Sequence, residues 1–119
     1  MTVSGEMDGA LPTPIQRIRL AAVTNDTTTS IPANGYILGI AIENTTGNAI
    51  TGGLKIGTTD GGTDVLVAIA VGASALAFVT DAALLKRWFS SASAQTLYIQ
   101  DVVAWNSASL NITFLYVII

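Results

Sequence analysis

The sequence predicts an all-β fold: an antiparallel, jelly-roll-like β-sandwich of about eight strands, with one short helical turn near 81–87. Three observations carry that expectation. Short segments repeat an apolar pattern of period two, clusters of turn residues separate them, and only Asp81–Arg87 reads as helical. A chain of 119 residues is enough for one domain. It divides into an extended N-terminal arm, 1–14, and a single sandwich domain, 15–119. No internal repeat stands out at periods of about 20–50 residues.

The arm, MTVSGEMDGALPTP, is polar and contains glycine and proline. Pro12 and Pro14 disfavour helix and bias the residues before them to extended backbone. Its apolar residues are too few to pack alone, so it reads as a tail ordered by a partner. In the first strand, Ile18 and Leu20 alternate with Arg17 and Arg19. Thr24–Ser30 is a Thr-rich stretch, extended or looped. Pro32-Ala33-Asn34-Gly35 is a turn, since Pro presets φ and Asn-Gly tolerates positive φ. Tyr36, Leu38, Ile40 and Ile42 then alternate with Ile37, Gly39, Ala41 and Glu43, giving one large-residue and one small-residue face. Asn44–Asn48 turns the chain into a strand over Ile50–Ile56. Gly52-Gly53 inside that strand marks a bulge or a close backbone approach.

Thr58–Thr63 is a hairpin loop. Val65, Val67, Ile69 and Val71 alternate with Leu66, Ala68 and Ala70, so both faces of this strand are apolar. Gly72–Ser74 turns into a short strand, Leu76–Thr80. Asp81 is a candidate N-cap for the helical turn, whose basic end, Lys86-Arg87, suits a helix C-terminus. Ser90–Ala94 is a small-residue loop. Thr96–Ala104 and Ala108–Ile118 are two longer strands joined at Trp105–Ser107.

Composition narrows the function. Apolar residues make up 50% and charged residues 11%, against a usual charged share of about 25%. Mean hydropathy is +0.57. Thirteen charged side chains cannot cover a domain this small, so other subunits or a membrane must cover part of it. The membrane option is the weaker one. Residues 1–14 hold Glu6 and Asp8 and no basic region, unlike a signal peptide. The most apolar uncharged stretch, Val65–Thr80, is shorter than the roughly twenty residues of a spanning helix. With no cysteine and no histidine, there is no disulfide scaffold, thiolate metal site or Ser–His–Asp triad. Five basic residues and a net charge of −3 argue against nucleic-acid binding. No enzyme activity, cofactor or metal is expected.

The motifs that might carry chemistry have plainer readings. Asp60-Gly-Gly-Thr-Asp64 has too few carboxylates for a calcium loop and reads as a hairpin turn. Asp101, interrupting an apolar face, could be paired with Glu43 as a glycosidase-like couple, but any two carboxylates could be so paired. Trp88, Phe89 and Trp105 are candidate partner-contact aromatics, for an interface or for stacking on a sugar. The C-terminal strand is more informative. Leu110, Ile112, Phe114, Tyr116 and Ile118 form one apolar face, and Leu115, Val117 and Ile119 finish the other. A strand apolar on both faces is buried on both, and a small sandwich buries only one itself. Leu66, Ala68, Ala70, Leu115, Val117 and Ile119 are therefore the expected subunit interface.

Ile31–Tyr116 carries a resemblance over about 85 residues. The segments IPANGYILGIAIENTTGNAITGGLKIGTTDGGTDV, TDAALLKRWFSS and QTLYIQDVVAWNSASLNITFLY resemble small virion proteins of tailed bacteriophages, of the capsid decoration (cement) or head-fibre type. The resemblance implies a β-sandwich that forms homotrimers on the phage head, made in the host cytoplasm. It also implies an N-terminal arm that reaches the major capsid protein, here Met1, Val3, Met7, Leu11, Pro12 and Pro14. A phage fibre or tail-tip protein that binds a receptor or glycan is the alternative.

Overall fold

The computed structural model describes residues 14–90 and 92–119. Within them the chain forms nine strands: β1 (Gln16–Val23), β2 (Thr27–Ile31), β3 (Gly35–Asn44), β4 (Leu54–Gly57), β5 (Leu66–Ile69), β6 (Leu76–Val79), β7 (Trp88–Phe89), β8 (Gln95–Asp101) and β9 (Leu110–Ile118). All pairings are antiparallel. One sheet has the order β1-β9-β3-β6, with β7 also paired to β3; the other has the order β2-β8-β4-β5. Strands remote in sequence, β1 with β9 and β2 with β8, lie side by side, and the chain changes sheet at most of its links. That is the jelly-roll order.

Inward side chains of both sheets meet in one core. Ile37, Ile40, Ile42, Leu110, Ile112 and Phe114 come from the first sheet, and Ile31, Leu54, Ile56, Leu66, Leu97 and Ile99 from the second; all are fully buried. Burial of each such side chain contributes about 1.5–3 kcal/mol, and the β-branched isoleucines suit a pleated surface.

Two bulges break the simple alternation. In β3 the register passes from Ile37 opposite Tyr116 to Gly39 opposite Leu115, which leaves Leu38 without a cross-strand partner. Ile37 and Ile40 therefore both face the core, and Tyr36 moves to the outer face with Gly39, Ala41 and Glu43. The sequence pattern placed Tyr36 and Leu38 on one face with Ile40 and Ile42; the extra residue flips everything before it. In β5, Ile56 pairs with Leu66 but Leu54 pairs with Ile69. The extra residue turns both Leu66 and Ile69 inward.

Arg87 closes the first bulge. Its Nη1 donates to the carbonyls of Leu38 (3.1 Å) and Ile37 (3.3 Å), and its Nη2 donates to the carbonyl of Thr80. The main chain adds a bond from the Ile37 N–H to the Arg87 carbonyl, 2.8 Å.

The segment 81–87 is not helical, and no helix occurs among the described residues. Asp81 does cap a turn: its Oδ1 accepts from the Ala83 N–H at 3.0 Å and its carbonyl from the Leu84 N–H at 3.1 Å. The chain is then drawn out along β5. Leu84 bridges Leu66 and is buried, and the Leu85 N–H bonds the Val65 carbonyl at 2.8 Å. Seven residues give a helix little return for its nucleation cost, and docking on β5 outcompetes it.

The Gly52-Gly53 expectation holds. Both have positive φ, and a Cβ on Gly53 would collide with the carbonyl of Ile69. The strand expected from Ile50 consequently begins only at Leu54. Buried Asn44 closes the next turn, donating to the carbonyls of Asn48 and Gly72 and accepting from both polar groups of Thr46.

Candidate interaction surface

The two sheets present unlike outer faces. On the second sheet, Thr28, Ser30, Thr96, Tyr98, Gln100 and Lys55 alternate with the core residues. On the first sheet the outward positions are largely apolar. Cross-strand rows fix their arrangement: Trp88 beside Tyr36 beside Val117, Gly39 beside Leu115 beside Arg17, Phe78 beside Ala41 beside Thr113 beside Arg19, and Leu76 beside Glu43 beside Asn111.

Phe78 joins the rows. Gly39 has no side chain, and a Cβ there would come within 2.8 Å of the Phe78 ring. The ring thus lies across β3 toward Leu115. Phe78 is 56% exposed, Leu76 71%, Trp88 39% and Ile119 70%. With half-buried Tyr36, Leu38, Leu115 and Val117, they make an apolar surface on the order of several hundred Å², the size that marks contact sites on soluble proteins. The face is bordered by charge: Arg17 and Arg19 stand on β1, and Glu43, which accepts a bond from Asn111 Nδ2 at 3.0 Å, stands at the far end.

Each expected site residue among the described residues has a definite place. Leu115, Val117 and Ile119 lie on this face. Ala68 and Ala70 are exposed on or beside β5, an edge strand of the other sheet, so the structure does not bring them together with the β9 residues. Leu66 is fully buried and belongs to the core, because the β5 bulge turns it inward; its assignment to a subunit interface is corrected. Of the aromatics, Trp88 is on the outer face. Phe89 is a core residue opposite Gly35, with Lys86 Nζ 5.1 Å from its ring centroid. Trp105 is also buried, and its Nε1 donates to Asp26 at 2.7 Å. Neither Phe89 nor Trp105 is a partner-contact aromatic. Of the arm, Pro14 is exposed; Met1, Val3, Met7, Leu11 and Pro12 lie outside the described residues.

Tyr36, Leu76 and Phe78 were not expected at a contact surface. The alternation of Leu76 and Phe78 with Ala77 and Val79 was a usable signal, but it does not say which set faces the core.

The carboxylates serve the fold. Asp60 accepts from Gln100 Nε2 at 2.6 Å while Gln100 Oε1 accepts from the Gly61 N–H at 2.7 Å. Asp64 accepts from the hydroxyl and the N–H of Thr58, and the hydroxyl bond above all lowers its pKa. Asp101 meets Asp26, not Glu43. The Asp26 Oδ1 accepts from the Asp101 N–H at 3.2 Å, and desolvation, followed by the Asp26 charge, raises the pKa of Asp101. Among the described residues no group of three or more acidic side chains is placed to hold a metal ion. Nor is any helix there long and apolar enough to cross a membrane.

No protein-family model matches the chain, and no curated protein matches it. Among solved structures it is similar to a chain of the cyanophage Pam1 capsid asymmetric unit, with a TM-score of 0.46 and 13% identity over 100% of both chains. At that distance the likeness carries no argument about function.

Proposed function

We propose that this chain is a non-enzymatic structural protein of a bacteriophage virion, a decoration (cement) protein that self-associates on the head, with a homotrimer as the expected assembly. The observation that carries the reading is the inequality of the two outer sheet faces. An apolar face beside a polar one, on a domain with 11% charged residues, is the surface of a subunit that packs against others. The sequence resemblance set out above supplies the phage context and the trimer. The major capsid protein is the expected second partner.

Light scattering on the purified protein tests self-association first. The expected mass is about three times that of one chain. Phe78→Asp or Leu115→Asp should release monomers, because each would bury an unpaired charge. Thr96→Asp, on the polar face, should leave assembly intact. A wild-type monomer, or equal effects at both faces, would overturn the reading. Head attachment is tested by cosedimentation with shells of the major capsid protein encoded nearest to this chain; absence of binding would leave the fibre or tail-tip role.

A further inference from the structure

The first sheet ends at β1, which pairs with β9 alone and leaves its other edge open among the described residues. That edge has two unusual features. Ile18 and Leu20 point inward but are only partly covered, packing at the margin of the core. On the outer side Arg17 and Arg19 are exposed, two residues apart, with no hydrogen-bond or ion-pair partner among the described residues. An open edge invites another strand.

The arm has the complementary pattern. Its large apolar residues, Met1, Val3, Met7 and Leu11, all occupy odd positions, with Gly5 and Gly9 between them and the small Ala10 at an even one. Thr2, Ser4, Glu6 and Asp8 occupy even positions, and its two acids are two residues apart, as the two arginines of β1 are. In extended backbone these sets fall on opposite faces.

We propose that residues 3–11 add to the open edge of β1 in a neighbouring copy, as an antiparallel strand with Asp8 facing Arg17 and Glu6 facing Arg19. This register puts Met7 opposite Ile18, extending the core where it is thin. It puts Gly5 opposite Leu20, just before the irregularity between Leu20 and Val23. Antiparallel addition continues the pattern of the whole sheet, and the main-chain bonds supply the attachment.

The occupant is a neighbour's arm because the arm cannot readily return along its own β1. An antiparallel return in this register needs a tight turn at Pro12-Thr13, and Pro14 lacks the N–H that would close it. Thirteen residues reach about 40 Å when extended, more than the roughly 27 Å of an eight-residue strand, so an arm can leave one subunit and run the length of β1 on the next. The proposal rests on the self-association reading above. It makes the arm a tie between subunits instead of a reach to the capsid.

The chain has no cysteine, so a designed disulfide tests this cleanly. Asp8→Cys combined with Arg17→Cys is made in the full chain and oxidised, then compared by non-reducing gel and light scattering with each single variant. The expected result is a disulfide between chains in most of the protein, formed by the double variant and not by either single one. A disulfide within one chain would overturn the neighbour assignment. No disulfide in a protein that is still oligomeric would overturn the docking of the arm while leaving self-association standing. A monomeric wild type would overturn self-association and this proposal with it. A second measurement uses charge alone: Glu6→Lys with Asp8→Lys should weaken assembly, and adding Arg17→Glu with Arg19→Glu should restore it. Failure of the restoration would count against the register.

Discussion

Replacing Arg87 with Met should destabilise the fold far more than its place in a short connection implies. The change keeps most of the aliphatic stem and removes three donated bonds, to the carbonyls of Ile37, Leu38 and Thr80. A hydrogen bond from a charged donor contributes about 1.5–3 kcal/mol. Arg87 is half-buried, so water can replace part of that loss, and a total of about 2–4 kcal/mol is expected. For a domain of this size that corresponds to a fall in Tm of roughly 10 °C. Urea unfolding followed by circular dichroism measures it, with protomer concentration held fixed because assembly contributes to stability. Arg87→Lys, which keeps one point donor, should recover part of the loss. The bulge at Leu38 also puts Tyr36 on the outer face, so Arg87→Met should weaken self-association as well. A change below about 0.5 kcal/mol, the range of an ordinary surface substitution, would refute the view that Arg87 holds the bulge.

The remaining predictions concern titration and the two faces of β5. Folded Asp101 has a raised pKa, from desolvation first and Asp26 second. Its contribution to stability is therefore full below the ordinary Asp range and is lost as pH rises through the raised value. Asp101→Asn should flatten that slope and stabilise the protein at neutral pH; unfolding curves from about pH 3 to about pH 7 check it. Asp64 has the opposite sign. Its lowered pKa, due chiefly to the Thr58 hydroxyl, gives stability that is present above the ordinary value and lost as pH falls through the lowered one. Asp64→Ala should lower Tm at neutral pH and remove that acid-side loss. Leu66→Asp should abolish folding, since it places a charge in the core, whereas Ala68→Asp should fold with a near-native Tm. Expression and thermal melts distinguish them.

Period-two patterning was enough to read an antiparallel β-sandwich, the positions of most strands and the close approach at Gly53, because each is a local property of the chain. The bulges were not legible. The string from Tyr36 to Glu43 alternates acceptably in either register, and the choice is made by Tyr116, Leu115 and Arg87, which lie 50 or more residues away from Ile37. Trp105 was misread for the same reason. Its turn-like neighbours Asn106 and Ser107 mark it as a loop residue, but Asp26, 79 residues upstream, receives its indole N–H and lets the ring be buried. The helical reading of Asp81–Arg87 was right about the cap and wrong about its continuation, which the edge of β5 decides.

The same logic explains why three of the expected interface residues share one outer face while the other three lie apart from them. Two apolar faces on one strand imply two covering layers, but they do not say that both lie within the strand's own domain. For β9, in the middle of its sheet, the core takes one face and leaves Leu115 and Val117 outward, where only a partner could cover them. For β5, at an edge, the bulge and the 84–85 connection cover the strand from within the same chain, and what remains outside is only alanine. A strand apolar on both faces therefore points to a partner when it is central, and to local cover when it is at an edge. By that criterion the proposed contact surface is centred on β9 and β3. Substitutions there, at Leu115 and Phe78, should alter assembly without altering the fold, whereas polar substitutions at Leu66 should disrupt the fold and assembly with it.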